Sequence, residues 1–99
     1  MALYGLTGAH VNEEGRVERA RMQRADGATN QWLGQPGEYE AYEVANLIAT
    51  GDDIYSIFIV PGGTALGPKF RRVVYVNGAE GIELEEDIEG RRVQDLIQF

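Results

Sequence analysis

Residues 38–60, EYEAYEVANLIATGDDIYSIFIV, hold the sharpest pattern in the chain, and their reading decides the fold class. Ala41, Val44, Ala45 and Ile48 recur at helical spacing, with Leu47 beside them, so the pattern predicts an amphipathic helix over Glu38–Thr50. Glu38, Glu40 and Glu43 stand near its start, where the helix dipole favours negative charge. Gly51 follows as a C-terminal stop. Asp52-Asp53 then leads into Ile54–Val60, where large apolar residues occupy both parities. That pattern predicts a central strand covered on both faces, ended by Pro61-Gly62-Gly63.

The flanking segments predict strands. Downstream, Phe70–Val76 sets Phe70, Val74 and Val76 on one face and Arg71, Val73 and Tyr75 on the other. Asn77-Gly78 is a tight-turn dipeptide, and Ile82–Ile88 is the expected returning strand. Upstream, Leu3–Val11 and Arg16–Arg24 flank the turn signal Asn12-Glu13-Glu14-Gly15 and predict a hairpin. Its second strand places Val17, Arg19, Arg21 and Gln23 on one face, with Ala20 and Met22 on the other. Ala25–Gly37 holds Gly27, Gly34, Pro36 and Gly37 around Trp32 and Leu33, and reads as a long loop. Val93, Leu96 and Ile97 have the spacing of a short C-terminal helix. The expected order is β-β-α-β-β-β in one domain over 1–99. The expected fold is α+β, a small antiparallel sheet of about five strands with one main helix packed on a face.

Composition narrows the chemistry. The chain has 99 residues, no cysteine, one histidine and a net charge of −7. A domain this short supports a modest core and no deep cleft. Zero cysteines exclude disulfides, thiolate metal sites and cysteine nucleophiles, and fit a reducing compartment, so a cytoplasmic location is expected. The start of the chain lacks a basic and apolar leader pattern. Ile54–Val60 falls far short of the roughly 20 apolar residues a membrane-crossing helix needs. The bases fall into groups at 16–24, 69–72 and 91–92; Ala25–Pro68 holds no base, and an acidic block runs over 80–89.

Several motifs invite a chemical reading and lose it on inspection. Gly62 and Gly67 have phosphate-loop spacing, but Pro68 removes a backbone donor and Phe70 stands where a hydroxyl belongs. A wide hairpin loop is the expected structure there. Glu85, Asp87, Glu89 and Gly90 resemble part of a calcium loop, yet Leu96 occupies the closing position. An acidic run on the solvent face of a strand is expected instead. His10 stands without a partner in the pattern, so a structural or exposed role is expected. Neither a metal nor a cofactor is expected, and no catalytic residue stands out.

The remaining candidates form a binding surface: Arg19, Arg21, Lys69, Arg71 and Tyr75 as a basic and aromatic face, and Trp32 from the 25–37 segment. The net charge of −7 opposes a polyanion, and pairing of the arginines with Glu13, Glu14, Glu18 or the 80–89 block is the competing account. For Trp32, a lid folded back over the core competes with an exposed contact residue.

Ala41–Gly51, Ile57–Val60, Val73–Val76, Ile82-Glu83-Leu84, Glu89-Gly90 and Asp95-Leu96-Ile97 together resemble a family of short bacterial domains of unknown function. That family runs from a helix ending in glycine through a valine-rich strand to a leucine-rich tail. The resemblance covers about residues 38–99, with Gly15-Arg16-Val17 a shorter match. Relatives carry an Asp-Gly turn and an Asn-Leu-Leu tail where this chain has Glu89-Gly90 and Asp95-Leu96-Ile97. It implies a small α+β domain without an established activity and carries no functional residue over. The expected function is a non-enzymatic binding module that meets a protein partner or a second copy of itself. An anionic small-molecule site or accessory enzyme subunit, and a weak nucleic-acid binder, are the alternatives.

Overall fold

Asn12 and Gly15 close the first hairpin as their residue types predict. The Asn12 side-chain oxygen accepts hydrogen bonds from the backbone N–H of Glu14 (2.9 Å) and Arg16 (3.0 Å), and Gly15 takes the left-handed conformation at φ +80°. In the computed structural model, which describes residues 2–29 and 31–99, this turn joins β1 (Leu3–Val11) to β2 (Val17–Asp26). β3 (Gln31–Glu40), α1 (Ala41–Ala49), β4 (Asp53–Val60), β5 (Gly63–Val74) and β6 (Glu80–Leu84) follow. A single 3₁₀ turn at Val93–Asp95 then leads into β7 (Ile97–Gln98).

These strands form one curled half-barrel, not the expected five-stranded antiparallel sheet with a helix on a face. The order is β3-β2-β1-β4-β5-β6, with β7 added beside β1. β4 and β7 both run parallel to β1, so the sheet is mixed. The helix touches strands from both ends of the order, β2 and β3 as well as β5 and β6, which places it inside the curl.

Three expected irregular or helical segments are strands. Ala25–Gly37, expected as a loop, contributes most of β3; Asn30 lies outside the described residues. Its breakers Gly34 and Pro36 sit in a bulge, where pairing steps from Met22↔Gly37 to Arg24↔Leu33. The wide loop expected after Val60 is a two-residue turn, Pro61-Gly62, because Val60 pairs directly with Gly63 and Gly62 takes φ +87°. The tail forms a 3₁₀ turn and β7 instead of a helix. The acidic run expected on the strand Ile82–Ile88 lies largely beyond β6, which ends at Leu84.

The helix starts later than predicted, since β3 runs straight into it at Glu40. Glu43 accepts the Glu40 backbone N–H at 2.9 Å, covering a donor that the first turn leaves unpaired. At the other end Asp52 donates to the Leu47 carbonyl and Gly51 to that of Ile48, both at 3.0 Å, with Gly51 at φ +100°. This is the Schellman arrangement that the glycine predicts.

Bulges keep one face of each strand pointed at the helix. Leu6 and Ala9 lie three apart yet both are fully buried, because Thr7 is an extra residue between the pairs Leu6↔Met22 and Gly8↔Arg21. Glu18 does the same in β2, so Val17 turns inward with Ala20 and Met22 instead of outward with Arg19. Val44 and Ala45 of the helix form one buried core with these residues and with Ile54, Phe58, Phe70, Ile82 and Leu96. β4 alternates buried Ile54, Ser56 and Phe58 with partly exposed neighbours, so it is covered on one face, not two. Val74 and Val76, expected on the same face as Phe70, are exposed, whereas Phe70 is buried.

Gly67 is a point of close approach in the curl. It lies beside Pro68 in a bulge opposite Ser56, whose hydroxyl donates to the Pro68 carbonyl at 2.7 Å. A Cβ on Gly67 would fall 2.4 Å from both the Phe58 ring and the Ser56 hydroxyl. Gly67→Ala is therefore expected to destabilise the fold by about 1–3 kcal/mol through overpacking, read as a lowered urea midpoint with unchanged slope.

Candidate functional site on the outer face of the sheet

The convex side of the sheet divides into a charged half and an apolar half. In the charged half Arg19 reaches Glu38 at 3.0 Å and Glu40 at 3.6 Å, and Arg21 reaches Glu38 at 3.3 Å. The Arg21 guanidinium also lies 4.7 Å from the centre of the Phe99 ring. Phe99 in turn covers Gly8, while its backbone oxygen lies 2.7 Å from Nδ1 of His10. His10 thus has the partner that its sequence context hid, with Glu18 at 3.9 Å on its other nitrogen.

The apolar half centres on Trp32, which is neither a buried lid nor a free side chain. β3 carries it opposite Ala25, and its ring lies across β1 at Gly5. A Cβ on Gly5 would stand 2.4 Å from the indole and 3.0 Å from Ile57. Glycine here makes room for an aromatic ring laid over the strand, as at Gly8 beneath Phe99. Leu3, Trp32, Tyr55, Ile57, Thr64 and Leu66 line an open hollow of about 320 Å³ beside it. Trp32 remains 47% exposed, Leu66 67% and Ile59 60%. Among the described residues, Asp26 is the one charged residue in the lining.

The six residues singled out from the sequence do not converge. Trp32 lines the hollow, whereas Lys69 lies opposite Tyr55 in the β4–β5 register and pairs with Asp53 at 3.0 Å. Arg19 and Arg21 sit on β2, separated from β5 by two intervening strands, β1 and β4. Arg71 pairs with Glu83 at 3.3 Å. Tyr75 lies beyond β5, where its ring covers Gly81 and carries the Arg16 guanidinium 3.7 Å from its centre. The acidic partners also differ in part from those expected: Glu14, Glu80, Glu83 and Asp87 take Arg16, Arg72, Arg71 and Arg92, but Arg19 and Arg21 use Glu38 and Glu40 of β3. Such exposed pairs contribute at most about 1 kcal/mol each. Their effect on this surface is to neutralise it.

Leu3, Gly5, Tyr55, Ile57 and Leu66 escaped the sequence reading. A signal was present: residues 1–12, 27–37 and 54–68 contain no Asp, Glu, Lys or Arg, and these three segments supply almost the whole hollow. A second hollow, of about 290 Å³, lies between Arg16, Val17, Tyr75, Ile82, Leu84 and Arg92. Its arginines are engaged, Arg16 on Tyr75 and Arg92 with Asp87 at 2.6 Å.

The chain matches no family model, no curated protein and no solved structure. The reading of function therefore stands on this surface and on the motifs themselves. Among the described residues, no helix is long and apolar enough to cross a membrane.

Two outcomes follow from this geometry. Burial of the Tyr75 hydroxyl, reinforced by Glu83 and opposed by Arg16, raises its pKa above the usual tyrosine value. The folded state then holds the proton more tightly than the unfolded state, so the stabilisation is complete below about pH 10 and is lost as pH rises through the folded pKa. Chemical denaturation measured across that alkaline range is expected to show falling stability, with a shallower fall in Tyr75→Phe. Trp32 is the only tryptophan and reports on the hollow directly. Gly5→Ala is expected to push the indole off β1 and shift its fluorescence to longer wavelength.

Proposed function

We propose that this domain is a non-catalytic binding module whose apolar outer half takes an apolar segment of a protein. The observation that carries this reading is the cluster of Trp32, Ile57, Ile59 and Leu66, held on rigid strands and left partly open to water. Exposed, contiguous apolar surface costs solvation free energy, and an aromatic anchor beside a hollow is what interface hot spots use. The open shape of the hollow suits a side chain presented by another polypeptide. Absence of cysteine in the sequence fits work in a reducing compartment such as the cytoplasm. The resemblance to short bacterial domains of unknown function agrees with a small binding domain and adds no residue to it.

The other readings draw less support. An anion site built on the arginine face would need free guanidinium groups, and Arg19, Arg21 and Arg71 each lie against a carboxylate. Among the described residues, the sole charged one lining the apolar hollow is the acidic Asp26, which repels anionic metabolites and nucleic acid alike.

The neutral dye Nile red tests the surface without presupposing a partner. Titrated onto the whole protein, it is expected to brighten and shift blue in the hollow and to change Trp32 emission. Leu66→Glu is expected to weaken dye binding by at least about tenfold, since losing the burial of one leucine side chain costs about 1.5–3 kcal/mol. Equal binding by the variant, or none by the wild type, would overturn the proposal.

A further inference from the structure

We infer that the concave side of the sheet carries a second site, at the β3 bulge, which takes a small organic carboxylate with an apolar body; this site is separate from the outer face described above. The bulge makes the recess. Gly34, Gln35 and Pro36 all stand opposite the single residue Gln23, whose side-chain amide donates to the Gly34 carbonyl at 2.9 Å. Three residues opposite one bend the strand out of its ladder. An open hollow of about 320 Å³ lies there, lined by Tyr4, Arg24, Leu33, Gly34, Gln35 and Tyr39. Register explains the gathering. Tyr4, Arg24 and Leu33 are successive cross-strand partners on β1, β2 and β3, so their side chains share one face. That face is the inner one, because Leu6 and Met22, each two residues away along its strand, are fully buried. Tyr39, opposite the buried Ala20, lays its ring along β3 over Gly37, where a Cβ would stand 3.3 Å from it.

Charge selects the ligand. Every other base in the chain has a partner: each lies against a carboxylate, save Arg91, which donates to the Gly90 carbonyl at 3.1 Å. Among the described residues, the Arg24 guanidinium has none, and no residue lining this hollow is acidic. Asp26, two residues further along β2, stands outside the lining and accepts the Ala28 backbone N–H at 2.9 Å. A guanidinium presents two parallel N–H donors that match the two oxygens of a carboxylate. The rings of Tyr4 and Tyr39 and the Leu33 side chain wall the hollow for an apolar body, and the phenol hydroxyls and the Gln35 amide add donors. One guanidinium balances one negative charge. The net charge of −7 opposes a dianion or a polyanion more strongly than a monoanion, and its distant charges are screened beyond about 8 Å at physiological salt.

Phenylacetate titrated onto the full chain, followed residue by residue in amide NMR spectra, tests the inference. Saturable shifts are expected at Tyr4, Arg24 and residues 33–35. Phenethyl alcohol keeps the ring without the charge, and inorganic phosphate keeps charge without the ring. Each is expected to bind at least about tenfold more weakly than phenylacetate. Arg24→Gln is expected to weaken phenylacetate binding by at least about tenfold, because a charge-assisted, bidentate contact is lost. Arg21→Gln removes the same charge from the outer face and is expected to leave binding unchanged. Should Arg24→Gln fail to fold, Arg24→Lys keeps the charge without the planar fork and is expected to weaken binding severalfold. The inference is overturned by no saturable shift up to about 10 mM phenylacetate. Equal binding of phenethyl alcohol or phosphate, an equal loss in Arg21→Gln, or full affinity in the Arg24 variants overturns it as well. Shifts confined to Ile57 and Leu66 would also overturn it, and would leave the binding reading of the outer face standing.

Discussion

A sheet that encloses a helix on its concave side has to curl, and a strand that curls without correction turns its apolar side chains away from the core. The rest of this structure depends on how that conflict is resolved. Extra residues at Thr7 and Glu18 reset the parity of β1 and β2, so Leu6, Ala9, Val17 and Ala20 all join Val44 and Ala45 in one buried core. Gly67-Pro68 and the Gly34–Pro36 bulge make the corresponding bends in β5 and β3. Bulges sharpen local twist while leaving the remaining ladder intact, which is how one short helix can fill a half-barrel.

The same bending shapes the outer surface. β1 carries Gly5 and Gly8 on its convex side, and each is covered by an aromatic ring brought from elsewhere, Trp32 from β3 and Phe99 from beyond β7. The two rings lead to different surfaces. Phe99 sits beneath the Arg21 guanidinium, among ion pairs that quench the arginine face. Trp32 sits beside Ile57 and Leu66 in a hollow whose described lining is uncharged apart from Asp26. Because β1 exchanges β4 for β7 halfway along, the end of β4 runs on as a two-stranded arm that extends the apolar half.

Much of the local structure was legible in the residues. The hairpin at Asn12–Gly15, the helix stop at Gly51 and the Asn77-Gly78 turn are each fixed by a side-chain hydrogen bond or a positive φ at the expected residue. The topology was not. Pro61-Gly62 and Gly34–Pro36 carry the same residue types, yet one is a tight turn and the other a bulge within a strand. Gly and Pro mark where a ladder is interrupted, without saying whether the chain resumes pairing beyond. Of the described residues lining the candidate site, the sequence pattern singles out Trp32. The other lining residues are ordinary apolar positions until three distant segments come together.

By itself, then, the sequence determined the turns, the helix with its caps, the absence of cysteine chemistry and the uneven distribution of charge. These rest on interactions within a few residues of one another or on composition alone. Tertiary structure decided the seven-stranded curl, the parallel pairing of β1 with β4 and β7, the scattering of the arginines and the gathering of an apolar outer face. Those features depend on strand register and on pairs far apart in the chain. A single bulged residue reverses which side chains face the helix, and no local pattern encodes where that residue will fall.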